Sequence, residues 1–509
     1  MPNDPYELVA TETAAIADVL NAVNVLTWDA RVAMPAPGTE ARSEQIATLS
    51  AVARGKLLDP RLSDAVAAAR DHLDPEADDV RRRELDAVAS AIEHHARLPD
   101  ALMRRHARAK GTAQSAWAAA RAADDFGAFA PHLEEMLALK RELAAAIAPE
   151  RPAYDALLHE YEPGIGTDAL HDLFGSLRAT LVPLFAAVRE APAPRTDFLR
   201  RAFDVDRQRE VSLRLAERIG YETARGRLDL APHPFEISFA TNDVRITTRV
   251  DERFLPQSLF AALHEAGHGL YEQNADPAYA RSALSTDLIG LYAVSGTSYG
   301  THESQSRLWE NLVGRSRPFW ERHLPLLRDA FPGVLDDVDV DAFHRAVNAV
   351  APSPIRVEAD EVSYNLHVML RVELELALLD GDLTVAELPD AWNERMERDL
   401  GFRPQDDREG VLQDIHWSAG LVGAFPTYTI GTVMASQWYE AALTSDPTLE
   451  ADVRSGSYDG LRAWLTDHVC RHARRYEADE LLRRATGRPL DPEPYLRYLT
   501  DKYQGLYGL

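Results

Sequence analysis

The stretch His264-Glu265-Ala266-Gly267-His268 decides how this chain is read. On a helix, two histidines at i and i+4 project from one face about a turn apart, close enough to bind one ion. Glu265 lies one residue round from His264, so its carboxylate reaches a water beside that ion without ligating it. Neutral imidazoles suit a borderline-soft dication of the zinc type, and three protein ligands keep one position open. Such an ion acidifies water towards a pKa of about 7, and Glu265 takes the proton as the oxygen attacks a carbonyl. The helix carrying the motif is predicted to begin near Pro256.

With 17 histidines in 509 residues the pattern can arise by chance, but a partner follows it. Past an irregular, Gly/Ser-rich connection, Gly300-Thr301-His302-Glu303-Ser304-Gln305-Ser306-Arg307-Leu308-Trp309-Glu310-Asn311 reads as the start of a second helix. A carboxylate from a following helix completes the two histidines and leaves the site open. Glu303 is the expected third ligand. His302 competes for the role, but adjacent helical residues point about 100° apart, so both do not ligate. His302 is then expected to support the ligands or to face the substrate.

Upstream, Phe235, Ile237 and Phe239 alternate with polar neighbours, as do Val244, Ile246, Thr248 and Val250, around the turn-prone Thr241-Asn242-Asp243. This is a β-hairpin pattern beside the motif helix. Such a hairpin is either a flap packed on helices or an edge that pairs with an extended peptide. The rest reads as helix: Ile16, Val19, Leu20 and Val23 form one apolar stripe, and Met136, Leu139, Leu143 and Ile147 another. Pro and Gly mark breaks at 35–38, 192–194, 352–354 and 487–494. No repeat or Ser/Gly-rich linker forces a domain cut, so one helical body over 1–509 is expected.

The chain is 46% hydrophobic with a formal charge of −26, which argues against nucleic acid and anionic membrane as partners. No run approaches the roughly 18 uninterrupted apolar residues of a membrane span. Cys470 is the only cysteine, which excludes an internal disulfide and a thiolate-rich metal site. Met1-Pro2-Asn3-Asp4-Pro5 shows no basic stretch leading into an apolar run, so a cytoplasmic location is expected. Two further histidine pairs, His94-His95 and His468/His472, are expected to be solvated or structural. Val469 stands where the second pair would need a base.

Six segments in order resemble the M32 carboxypeptidases, also called the carboxypeptidase Taq family. They are His233-Pro234-Phe235, Asp243-x-Arg245-x-Thr247, His264-Glu265-x-x-His268, His302-Glu303-Ser304-Gln305-Ser306, Ile355-Arg356-x-x-Ala359-Asp360 and Gly410-x-x-Gln413-Asp414-x-His416-Trp417. Trp28-Asp29, Met34-Pro35, Tyr161-Glu162-Pro163-Gly164, Ala485-Thr486-Gly487 and Tyr503 extend the match along the chain. The resemblance implies a mainly helical, cleft-bearing peptidase, similar in outline to the neurolysin and angiotensin-converting-enzyme group. It also implies a homodimer that uses zinc or cobalt and releases amino acids singly from free peptide C-termini. It places the metal on His264, His268 and Glu303, catalysis on Glu265, and substrate contacts at His233, Asp243, Arg245 and Thr247. In one departure, 281–301 lacks the Thr-Pro segment that the family carries before His-Glu-Ser, which leaves the ligands intact and alters the adjoining pocket.

A carboxypeptidase must hold a carboxylate, and arginine does so with a bidentate fork. Arg356, just after a Pro-rich break, is the first expectation; otherwise it forms an ion pair with Glu358 or Asp360. Arg245 is the alternative clamp. His416 and Tyr428 resemble the oxyanion donors of related helical metallopeptidases. Two other readings stay open: an endo-oligopeptidase or dipeptidase using the same metal site, and a helical scaffold without activity.

Overall fold

In the sequence of the motif helix, apolar residues fall on every side, the pattern of a helix enclosed by others. The computed structural model, which describes residues 4–74 and 79–509, places it there. The helix runs Leu255–Gln273 with Pro256 in its first turn, and Leu259, Ala262, Leu263, Ala266 and Tyr271 are fully buried. It packs against the Val205–Arg218 and Tyr299–Arg307 helices and against a three-stranded sheet. The sheet order is β1-β3-β2, with β1 Gly226–Leu230, β2 Glu236–Ala240 and β3 Asp243–Thr248. β2 and β3 form the expected antiparallel hairpin, irregular between Ser238 and Ala240. β1 joins it in parallel, Leu228 opposite Ile246. Val244, Ile246 and Thr248 are buried, which fixes the register of β3.

Among the described residues helix dominates. The chain divides into two compact units: Met1–Ala96, Arg195–Val347 and Met434–Leu490 form the first, and Arg97–Pro194, Asn348–Val433 and Asp491–Leu509 the second. The proline-rich breaks at 192–194 and 352–354 and the 487–494 break lie at or near three of the boundaries. In the first unit the Pro5–Val32 helix packs on Thr39–Leu57 and Pro60–His72, burying Ile16 and Leu20 with Leu57, Leu62, Val66 and Leu85. This helix is long and apolar enough by composition to cross a membrane, and here it forms part of a core.

In the second unit the central helix is Tyr364–Asp380, which packs on the Thr167–Glu190, Phe126–Ile147 and Leu388–Leu400 helices. The predicted stripe Met136, Leu139, Leu143, Ile147 is buried. Glu375 of the central helix accepts from Trp417 Nε1 (3.0 Å), Gly423 N (3.1 Å) and Tyr154 Oη (3.0 Å). One carboxylate therefore staples the non-helical segment around His416 to the core. Burial still outweighs these three donors and pushes Glu375 up to about 7.

Candidate active site

His264 and His268 leave the motif helix on one face, and Glu303 comes from the Tyr299–Arg307 helix, whose start Ser298 caps by accepting from Thr301 N at 3.0 Å. One ligand atom from each of the three lies within 4.8 Å of the others. Glu303 Oε2 is 3.6 Å from His264 Nε2 and 3.2 Å from His268 Nε2. The other oxygen, Oε1, accepts from Arg307 Nε at 2.7 Å, so the carboxylate presents one oxygen inward. His264 Nδ1–H donates to Glu310 Oε2 at 2.9 Å, and Glu310 Oε1 accepts from Arg315 at 2.9 Å. That bond commits Nδ1 and leaves Nε2, on the side of Glu303, as the atom that would ligate an ion once its proton is displaced. Two imidazole nitrogens and one carboxylate oxygen, each oriented by its other atom, fit a zinc-type dication.

The helices carrying these ligands approach very closely, and Gly267 is the reason. A Cβ there would lie 2.6 Å from Gln305 O and 2.6 Å from Ser306 Cα, both backbone atoms. Gly267→Ala is therefore expected to separate ligands from two helices, costing about 1–3 kcal/mol of stability and lowering metal occupancy. Thermal unfolding and metal content, both unchanged, would contradict this.

Electrostatics separates the acidic groups. Burial would raise Glu303, but Arg307 and His264 hold it well below the usual carboxylate range. Burial pushes Glu265 up to about 7, against the pull of His264. Among these carboxylates Glu265 is the one poised to take a proton near neutrality. Burial works against charge on His264, yet Glu303 and Glu310 push it up to about 10; His268 is driven down to about 3, chiefly by burial. A dication at the three ligands would replace that proton as the partner of the carboxylates.

The second unit holds a second cluster. Asp414 Oδ1 accepts from Arg356 Nε (3.2 Å) and Nη2 (2.9 Å), and Oδ2 accepts from Arg371 Nε (2.6 Å). Arg356 Nη1 also donates to Tyr364 Oη at 3.1 Å. Burial opposes the charge on Asp414, but the two guanidiniums outweigh it and hold it well below its usual range. Two buried cations share one anion, so the cluster has one positive charge in excess. His416 stacks on Phe425 at 4.4 Å, with Nε2 3.1 Å from Tyr428 Oη. Burial lowers it to about 3, so it is neutral at physiological pH.

A family model described as Carboxypeptidase Taq (M32) metallopeptidase matches residues 9–503. The chain belongs to the M32 carboxypeptidase family. It is 40% identical to thermostable carboxypeptidase 1 of Thermus thermophilus, over 94% of each chain. It is 34% identical to carboxypeptidase 1 of Bacillus subtilis, over 97% of each. The crystal structure of an M32 carboxypeptidase from Deinococcus radiodurans R1 superposes with a TM-score of 0.95 at 40% identity, covering 99% of this chain and 100% of that one.

Several residues expected at the substrate turn out to have structural work. Thr247 was expected at the substrate, but it is fully buried, and its hydroxyl bonds both the N–H (2.8 Å) and the carbonyl (3.0 Å) of Phe235. It fixes strand register. Arg245 spends its Nε/Nη2 fork on Asp243, both bonds at 2.9 Å, and lies over Trp28 and Phe239, so the alternative clamp is already engaged. His233 is exposed before β2.

Arg356 pairs with neither Glu358 nor Asp360. The segment is a 3-10 turn, Glu358 is exposed, and Asp360 accepts from Val362 N, Ser363 N and Ser363 Oγ. His95, expected in solvent, is buried with Nε2 2.9 Å from Leu288 O. The helix bearing His468 ends there, so His472 does not share its face. Glu310 and Arg371 were not anticipated. Glu310 lies in a π-helical turn, Leu308–Val313, that follows the Glu303 helix, so regular helical spacing does not point to it.

Proposed function

We propose that this chain is a zinc-type metallocarboxypeptidase, cobalt being the alternative metal, that removes amino acids from the free C-termini of peptides. The observation that carries the reading is the convergence of His264, His268 and Glu303 beside a base-capable Glu265. A dication held by these ligands supplies Lewis acidity, acidifying water and polarising a carbonyl. Glu265 accepts the proton from the attacking water and passes it towards the leaving amine. His416 and Tyr428 are the candidate donors to the oxyanion; their mutual hydrogen bond uses one of the pair's two hydrogens and leaves the other for that role. Arg356 binds the substrate's terminal carboxylate. Nε and one N–H of Nη2 are taken by Asp414 and one N–H of Nη1 by Tyr364 Oη, which leaves one N–H each on Nη1 and Nη2 for the ligand.

One dication per chain is expected, lost to chelators together with activity. Ligation needs neutral histidines, and in the metal-free site the neighbouring carboxylates hold His264 up to about 10, so a proton competes for this ligand and affinity weakens as pH falls from about 10. If His264→Ala, His268→Ala and Glu303→Ala all bind metal as tightly as the parent in a chelator competition, the site lies elsewhere. We further propose a homodimer, supported by family membership, and a cytoplasmic location, supported by a lone and buried cysteine. Light scattering at micromolar concentration is expected to give twice the chain mass; a monomer mass rejects the dimer.

A further inference from the structure

The two histidine ligands are prepared in different ways. His264 donates directly to a carboxylate. His268 Nδ1 instead meets another imidazole, His302 Nδ1, at 2.6 Å, and His302 Nε2 meets Glu272 Oε1 at 3.0 Å. The ring planes of His268 and His302 are 17° from parallel with centroids 4.6 Å apart. A face-to-face stack at that separation does not bring ring nitrogens within 2.6 Å, so the rings lie edge to edge, nearly in one plane. That is the geometry of an N–H···N hydrogen bond.

We propose that Glu272 and His302 are positioning residues for the ligand His268, and that Glu272 joins this ligand to the segment at 295–297. The inference rests on the metal site of the preceding reading. A carboxylate is acceptor-only, so His302 Nε2 carries the hydrogen towards Glu272. Neutral His302 is then an acceptor at Nδ1, and the shared hydrogen belongs to His268 Nδ1. His268 Nε2 is left with its lone pair directed at Glu303 Oε2. Without Glu272, His302 can take the other tautomer, donate from Nδ1, and force the hydrogen of His268 onto the atom that must ligate.

Glu272 stands four residues after His268 on the same helix face, and it is buried. It also accepts from Ser295 N, at 2.9 Å to Oε1 and 3.2 Å to Oε2, and from Ser238 Oγ at 3.3 Å. Next to Ser295, Gly296 lies flat on His302: a Cβ there would be 2.8 Å from Cδ2 and 2.9 Å from Cβ of the histidine. Arg474 binds the Gly296 carbonyl, and Thr297 donates to Tyr476 O. The segment is therefore held against the ring from both sides, and displacing it moves the groups that orient His268.

The test compares full-length parent, His302→Phe, His302→Asn and Glu272→Gln proteins. It measures cobalt affinity by chelator competition and the visible absorption of the cobalt-loaded proteins. His302→Phe removes the acceptor and is expected to weaken binding by about 10- to 100-fold and to shift the cobalt bands. His302→Asn offers an amide oxygen near the Nδ1 position and is expected to recover most of the affinity. Glu272→Gln, isosteric and so informative should His302→Phe fail to fold, is expected to weaken binding several-fold. Parental affinity and an unshifted spectrum in both His302→Phe and Glu272→Gln overturn the proposal while leaving the metal site standing. Failure of the parent itself to bind cobalt overturns the metal site and this inference together.

Discussion

Replacing Glu265 by Gln is expected to leave the metal in place and to lower turnover by about 100-fold or more, the usual contribution of a positioned general base. The amide is isosteric and takes no part in ligation, so metal content and unfolding temperature should match the parent. It cannot accept the proton from the attacking water. Burial raises Glu265 to about 7 from its ordinary value of 4.5, whereas a nearby dication favours the carboxylate and lowers it. The base works ionised, so the acid limb of kcat/KM is expected between those two values and should vanish in the variant. Retention of more than about a tenth of the parental rate would reject Glu265, since it leaves almost no general-base contribution to lose.

Arg356→Ala is expected to lower kcat/KM for free-acid peptides by roughly 30-fold or more, in line with the 2–5 kcal/mol cost of deleting one partner of a desolvated charge pair. Asp414 makes this variant interpretable. Its carboxylate keeps Arg371 at 2.6 Å when Arg356 is gone, so the deletion strands no buried anion, and the fold and the metal should be retained. What is lost is the surplus positive charge that a substrate carboxylate would neutralise. Arg356→Lys should recover only part of the activity, because an ammonium cannot reproduce a two-point fork. Wild-type kcat/KM in Arg356→Ala would return Arg356 to a structural role with Asp414.

The parts of the molecule legible in the sequence were those specified by local spacing. His264 and His268 are readable because a helix brings i and i+4 to one face. Strands β2 and β3 are readable because alternation and a turn lie within one short segment. Strand β1, Gly-Arg-Leu-Asp-Leu, carries only two apolar side chains, and its parallel partner is reached through β2, so no local pattern marks it. The same limit hid the partner of Arg356. Asp414 lies 58 residues away in sequence, and Arg371 sits among apolar neighbours on a helix buried along most of its length. A buried charge is recognisable only through partners supplied by the fold. The sequence sets His302 apart from the expected ligands, but its pairing with Glu272 depends on two helices held close by Gly267.

Cleavage from a free C-terminus is read directly from the products of one peptide in four terminal forms. Mass spectrometry of products from a single peptide is made with its C-terminus free or amidated and its N-terminus free or acetylated. A ladder of single-residue losses is expected from both free-acid forms, with no effect of acetylation and no products from the amides. Equal cleavage of the free-acid and amidated peptides would contradict it, and would point to an endo-acting peptidase built on the same metal site.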